Sequence, residues 1–333
     1  MESRDNMLQG IYLLDNFDLI YGSVYKKINK LVNIYTEPQT KESIKMNPSL
    51  LLEADIIFSG WGCPKMDQSL LEFAPNLKAV FYGAGSIKSI VTNAFWDRKI
   101  QITSAYAANA IPVVEFTLAQ ILFSLKRGWY FVNQTNKNAS LPVREAVPGV
   151  YRSTIGLVSL GMIGQKVAQI LKQFSCNVIA YDPFVSTQQA ELLNVELCSL
   201  EEVFQRADVV SLHTPWMKET EGLITGEHIR SMKQNATLIN TSRGAIIREK
   251  ELIEVLQNRP DLYALLDVTH PEPPVENSPL YSLENVILTP HIAGSMSREC
   301  HRMGEYMLEE LKNYLLNKPL EWEITREKVK IMA

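Results

Sequence analysis

The 333-residue chain holds four cysteines, Cys63, Cys176, Cys198 and Cys300, and no two stand at C-x-x-C spacing. That scarcity supplies neither a zinc-ligand pattern nor a disulfide framework, and it suits a reducing compartment. Charge of one sign is also lacking: 33 Lys and Arg against 37 Asp and Glu leave a net charge of −4. Neither a nucleic-acid footprint nor a polybasic membrane patch is expected from that balance. Long apolar runs are missing as well. The longest, Val113 to Leu125, contains Glu115 and Gln120 and reads as a buried helix too short to span a bilayer. The start, Met1-Glu-Ser-Arg-Asp-Asn, lacks a basic segment followed by an apolar one, so no export signal is read there and a cytoplasmic location is expected. Internal repeats and low-complexity tracts are absent. What is present is 46% hydrophobic and 21% charged residues, an ordinary globular composition at a length that suits two domains.

The most informative segment is Thr154-Ile-Gly-Leu-Val-Ser-Leu-Gly-Met-Ile-Gly164, followed by Val167, Ala168, Ile170, Leu171 and Phe174 at helical spacing and then by Val178-Ile-Ala-Tyr-Asp182. A β-branched run feeding a helix through a glycine turn, with a second strand after it, is the pattern of a dinucleotide-binding βαβ unit. Gly161 lets backbone approach a pyrophosphate, Gly164 lets helix and strand pack closely, and the free N–H groups of the helix start at Met162 and Ile163 favour an anion. Asp182, 18 residues beyond Gly164, is placed to accept from the ribose hydroxyls and to repel a 2′-phosphate, so NAD is expected over NADP. One residue departs from G-x-G-x-x-G: Ser159 stands at the first glycine, so a locally adjusted turn is expected there.

Before this unit, short apolar runs recur at Ile11 to Leu14, Val32 to Tyr35, Asp55 to Ser59, Lys78 to Tyr82 and Gln101 to Thr103, separated by helical or turn-like segments. A helix from Pro112 to Lys126 follows, with Pro112 in its first turn and Gly128 as its cap, and 131–150 reads as an irregular crossover. After it, strands are expected at Val209 to His213, Thr237 to Thr241, Tyr263 to Val268 and Val286 to Thr289. Helices are expected after a Ser199 capping box, near Gly226 and Arg248, and over Glu299 to Leu316. Strands alternating with helices imply doubly wound parallel sheets.

Ligands of such sheets bind beyond the carboxyl ends of the strands. Besides Asp182, those ends carry His213-Thr214-Pro215, Asn240-Thr241-Ser242-Arg243-Gly244, Asp267 to Pro273 and Thr289 to Gly294. A guanidinium can clamp a carboxylate through two N–H groups, and a histidine oriented by a carboxylate can take a hydroxyl proton as a hydride leaves. These residue types suit the redox chemistry of a 2-hydroxy acid with NAD. Read singly, each has a plainer role: Arg243 as a helix-start salt bridge, His291 as a strand-end side chain, Glu272 as a surface loop acid, Asp267 as a cap of backbone N–H groups. His213 reads as shaping the cofactor loop, His270 as close enough to Glu272 to face the same edge, and Trp129, Trp216 and Trp322 as packing. Trp61 ends a strand in Ser59-Gly-Trp-Gly-Cys63.

Taken in order, the segments resemble the D-isomer-specific 2-hydroxyacid dehydrogenase family, from about Asp55 to Glu310. Val113-Val-Glu115, Val210-Ser-Leu-His-Thr-Pro215, Ile239-Asn-Thr-Ser-Arg-Gly244, Leu266-Asp-Val-Thr-His-Pro-Glu-Pro273 and Leu288-Thr-Pro-His-Ile-Ala-Gly294 carry the likeness. The resemblance implies Arg243 as the substrate arginine, His291 as acid/base, Glu272 as the acid that supports it and Asp267 as a nicotinamide-side acid. Ser159, Gly161 to Gly164, Asp182, His213 to Pro215, Thr241 and Ser242 would line the cofactor. It also implies a flavodoxin-like substrate domain, 1–107 with 297–333, and an inserted Rossmann NAD-binding domain, 108–296. A cleft closing between the domains and a homodimer built through the NAD domain come with it. Backbone N–H groups of Gly83-Ala84-Gly85, with Trp61 nearby, would receive a small 2-oxo or 2-hydroxy acid. Phosphoglycerate dehydrogenases tend to carry Arg-Ser-x-Thr where this chain has Ser59-Gly-Trp-Gly, and the acid that often follows the glycine loop is replaced by Ile87-Lys88. An unphosphorylated substrate is expected on that ground. A phosphoglycerate or formate dehydrogenase on the same fold is the enzymatic alternative. An NAD(H)-responsive regulator like the C-terminal binding proteins, which share the triad, is the non-enzymatic one.

Overall fold

A computed structural model of the chain describes residues 7–332; the expected lack of an export signal at Met1 to Asn6 lies outside the described residues. Contacts divide the chain into two compact units, one running up to Ala110 and resuming over Ser295–Met332, the other Ile111–Gly294.

The first unit is built on five parallel strands, β1 (Gln9–Leu13), β2 (Asn33–Ile34), β3 (Ile56–Ser59), β4 (Ala79–Tyr82) and β5 (Gln101–Ser104), in the order β2-β1-β3-β4-β5. This is the flavodoxin-like order expected of the substrate domain. Every residue of β3 and β4 is buried, which explains why they read as unbroken apolar runs: helices cover both faces of a parallel sheet. One face packs on Ile44, Leu51, Leu71 and Phe95, the other on Ile20, Ile28, Met303 and Met307.

The second unit has seven parallel strands, β6 (Thr154–Val158), β7 (Asn177–Tyr181), β8 (Glu196–Leu197), β9 (Val209–Leu212), β10 (Thr237–Asn240), β11 (Tyr263–Leu266) and β12 (Val286–Leu288), ordered β12-β11-β10-β9-β6-β7-β8. The strand order reverses between β6 and β9, the Rossmann arrangement with a seventh strand added beside β11. Strand β8 is two residues long, too short for a periodic signal.

Three expectations need correction. The helix expected from Pro112 runs from Tyr106 to Leu125 with Pro112 inside it, because Tyr106-Ala-Ala-Asn-Ala is strongly helix-forming and extends it upstream. At 20 residues it is long and apolar enough to cross a bilayer by length and composition, yet half of it is buried and Val114, Ile121 and Leu125 sit in the core of the second unit. Its first turn contributes Ala108 to the core of the first, and the two units meet along the chain at 110/111 and 294/295. Gly128 does not cap this helix: Arg127 adopts a left-handed conformation (φ 49°) and a new helix runs from Gly128 to Asn138, taking in 131–138 of the segment expected to be irregular.

Candidate active site

The glycine turn follows β6. Ser159, at the first motif position, sits at φ +78°, a left-handed conformation that costs a side-chain-bearing residue about 1 kcal/mol. Its N–H donates to the Tyr181 carbonyl at 2.8 Å, and its hydroxyl lies 3.0 Å from the Thr214 hydroxyl. A Cβ on Gly164 would stand 2.2 Å from the Ser159 carbonyl oxygen, so only glycine lets the helix Met162–Leu171 start this close to the strand. That helix carries no side-chain cap, and a Cβ on Gly161 would meet nothing within 4 Å. Helices beginning at Thr187, Leu200 and Gly226 are each capped by a Ser or Thr. Free N–H groups and open space at one helix start fit a diphosphate.

Asp182 ends β7. Its carboxylate accepts from the N–H groups of Leu160 (2.7 Å), Phe184 (2.8 Å) and Val185 (3.1 Å), tying the phosphate turn to the loop after β7. His213 continues from β9, with its N–H on the Val158 carbonyl and its Nε2 buried without a hydrogen-bond partner. Burial lowers its pKa to about 4, which keeps the ring neutral.

The residues expected to act on a substrate come from the ends of β10, β11 and β12. Asn240 Oδ1 accepts from both the N–H and the hydroxyl of Ser242, and its Nδ2 donates to the Arg243 carbonyl at 2.9 Å. The loop is thereby held so that Arg243 spends one guanidinium N–H on Ser242 and keeps the rest of its fork for a ligand. Burial lowers the Arg243 pKa, and the nearby Glu272 carboxylate opposes that shift. Thr241 is buried against Thr117, hydroxyl to hydroxyl at 3.0 Å. Two hydroxyls expected to line the cofactor, Thr241 and Ser242, thus serve internal contacts.

Glu272 Oε1 lies 2.7 Å from His291 Nδ1, with both side chains about half exposed. His291 itself stands at φ +55°. Asp267, expected on the nicotinamide side, is buried and holds that strained corner: its oxygens accept from Thr289 Oγ1 (2.6 Å), Ile292 N–H (2.8 Å) and Ala293 N–H (2.9 Å). Its plainer reading, as a backbone cap, is the geometry observed. Gly244 completes the arrangement. A Cβ there would lie 1.9 Å from the Thr269 carbonyl carbon, so the Arg243 loop touches the loop carrying Glu272 only because residue 244 is glycine.

Trp61 and the glycine loop belong to the first unit. Trp61 is 40% exposed and its carbonyl accepts from Asp15 N–H. Of the three amides expected to receive a carboxylate, Gly83 donates to the Ser59 carbonyl (2.7 Å) and Ala84 to the Tyr82 carbonyl (2.8 Å). Gly85 alone retains its N–H among the three. The reasons are local: parallel β3 and β4 pair as far as Ser59 and Tyr82 and Gly83 continues the ladder, while Ala84 closes a tight turn on the carbonyl two residues before it. The contributions of Asn240 and Thr269 went unread, Asn240 although it lies within the arginine motif and Thr269 because only chain folding brings it to Gly244.

Residues 119–293 match the model of the D-isomer specific 2-hydroxyacid dehydrogenase NAD binding domain. A D-3-phosphoglycerate dehydrogenase of Methanocaldococcus jannaschii is 34% identical over 270 residues, 79% of this chain and 50% of that protein. Another, of Synechocystis sp., is 29% identical over 317 residues, 95% of this chain and 56% of that protein. The chain therefore spans about half the length of the curated relatives it matches. Among solved structures, the NAD complex of a D-isomer specific 2-hydroxyacid dehydrogenase from Lactobacillus delbrueckii ssp. bulgaricus superposes with a TM-score of 0.79 at 21% identity, covering 95% of this chain and 100% of that one. At that identity the likeness is one of fold.

Proposed function

The chain belongs to the D-isomer-specific 2-hydroxyacid dehydrogenases, and from that premise we propose that it transfers a hydride between NAD and C2 of a small, unphosphorylated D-2-hydroxy acid or 2-oxo acid. Bound NAD supplies the hydride acceptor or donor. Met162 to Gly164 hold the diphosphate on their N–H groups, and Asp182 holds the ribose. Arg243 clamps the substrate carboxylate with its free N–H groups. His291 moves the proton of the C2 oxygen at Nε2, because Glu272 occupies Nδ1 and fixes the tautomer. The observation that carries the reading is the 2.7 Å pair of His291 and Glu272 on the same strand-end edge as Arg243.

The test is NADH oxidation with glyoxylate, hydroxypyruvate, pyruvate, longer 2-oxo acids and 3-phosphohydroxypyruvate in parallel. An unphosphorylated acid is expected to be turned over best, and Arg243→Ala or His291→Ala to lose ~100-fold or more in kcat/KM. Near-normal turnover in either variant overturns the assignment of roles. A second reading, a phosphoglycerate dehydrogenase, is favoured by the names of the relatives. Best turnover of the phosphorylated acid would establish it over the first. NADH binding without reduction of any of these acids would point to a regulatory protein. Dimerisation through the NAD unit belongs to the same proposal and is supported by its exposed apolar side chains Leu141, Val143 and Tyr151; light scattering of the purified protein tests it. The four free cysteines are in keeping with a cytoplasmic location.

A further inference from the structure

Glu272 is held by little of its own. Its side chain is 42% exposed, and among the described residues its carboxylate makes no hydrogen bond besides that to His291. Where it stands is therefore set by the backbone of 268–273. Two groups from other elements hold His270, two residues upstream, one at its backbone N–H and the other at its ring. The Glu249 carboxylate, in the first turn of the helix Glu249–Asn258, lies 3.3 Å from the His270 N–H, a long contact that restrains weakly. The second grip is a ring. Trp216 does not pack in the core; it is 42% exposed in the loop after β9, with its Nε1 on Glu221 at 3.1 Å. It meets the His270 ring edge-on at 5.2 Å between centroids and 67° between planes. The edge-to-face arrangement is the favoured one for such pairs.

We propose that Trp216 and His270 are positioning residues: their ring contact ties the loop after β9 to the loop carrying Glu272 and so keeps that carboxylate on His291. The inference rests on the acid/base reading of His291. The loop after β9 begins rigidly, since His213 and Thr214 are buried and Thr214 is hydrogen-bonded to Ser159. It thus offers a fixed point to the exposed part of the other loop, 270–273, which follows the buried Val268 and Thr269. Neither ring touches the reacting atoms in this role, so loss of the contact lowers kcat while NADH binding is kept.

The experiment compares Trp216→Ala, His270→Ala, the double variant, His270→Phe and His291→Ala. It reads kcat, KM, the NADH Kd by fluorescence, and the low-field Nδ1–H proton of histidine in 15N-labelled protein. With only five histidines in the chain, that spectrum is legible. Each alanine variant is expected to lower kcat about fivefold and to broaden or lose the His291 signal, with the NADH Kd within about twofold of the parent. The double variant should be no worse than either single, because both break one contact. His270→Phe keeps a ring and the backbone N–H, and should recover most of the parent kcat. The inference is overturned if kcat stays within about twofold in both alanine variants, if their effects multiply, if the loss lies in the NADH Kd alone, or if His270→Phe is as slow as His270→Ala. Full turnover in His291→Ala would instead defeat the reading of the site itself.

Discussion

Two residues of the cofactor edge carry costs that can be measured one at a time. Ser159 combines a left-handed backbone with a hydroxyl partner, Thr214. Glycine would relieve about 1 kcal/mol of backbone strain but lose a hydrogen bond of similar worth and raise the entropy of the unfolded chain. Alanine would keep the strain and lose the bond. The expected order of urea stability is therefore the parent highest, Ser159→Gly about 0.5 kcal/mol below it and Ser159→Ala about 1 kcal/mol below it; an alanine variant equal to the parent would show that the hydroxyl pair contributes nothing. His213 carries a cost of a different kind. Burial lowers its pKa from 6.5 to about 4, so between those values the unfolded chain binds a proton that the folded one refuses. Stability is unaffected above pH 6.5 and is lost as the pH falls from 6.5 towards 4, by up to about 3 kcal/mol. The acid limb of a melting-temperature profile should flatten over that window in His213→Gln, and an unchanged limb would refute the assignment.

At the scale of elements, the site is a meeting of three loops at the ends of neighbouring parallel strands, and one glycine controls how closely two of them meet. Gly244→Ala would drive a Cβ into the Thr269 backbone, where no side-chain rotation can relieve it. The Arg243 loop or the Glu272 loop must move by an ångström or more. The expected result is a loss of about 100-fold in kcat/KM and about 2 kcal/mol in stability, read by steady-state kinetics and urea unfolding; a variant with parental turnover would show that the loops need not touch. The elements themselves were largely legible. All five strands of the first sheet and six of the seven in the second announce themselves as short apolar runs ended by polar or glycine residues. β8, two residues long, has no period to read. The helix Gly128–Asn138 is hidden behind a residue pattern that also suits a loop, since its Gly, Val, Thr and three Asn have little helical preference. The amides of Gly83 and Ala84 look available in the sequence because it says neither where a parallel ladder stops nor that the next residue turns back on Tyr82.

At the scale of the whole molecule, two units with separate cores and a contiguous stretch of chain in the second predict two unfolding events. Only one of them should respond to cofactor. Calorimetry with NADH at about 100 times its Kd should raise one transition by roughly 5 to 10 °C and leave the other in place, and a single transition that shifts as a whole would show the units to be coupled. What the sequence by itself determined was the class of fold and the βαβ turn with its acid, because those depend on local periodicity and glycine spacing; its motifs also put forward Arg243, Glu272 and His291 through their resemblance to the family. The tertiary structure alone decided what each surrounding residue is for. Asp267 holds the corner of His291, Gly244 admits the neighbouring loop, and Trp216 reaches His270 across 54 positions of chain. The reason is physical: these contacts join strand ends that are distant in sequence and become neighbours only when β9, β10, β11 and β12 are laid side by side in the sheet.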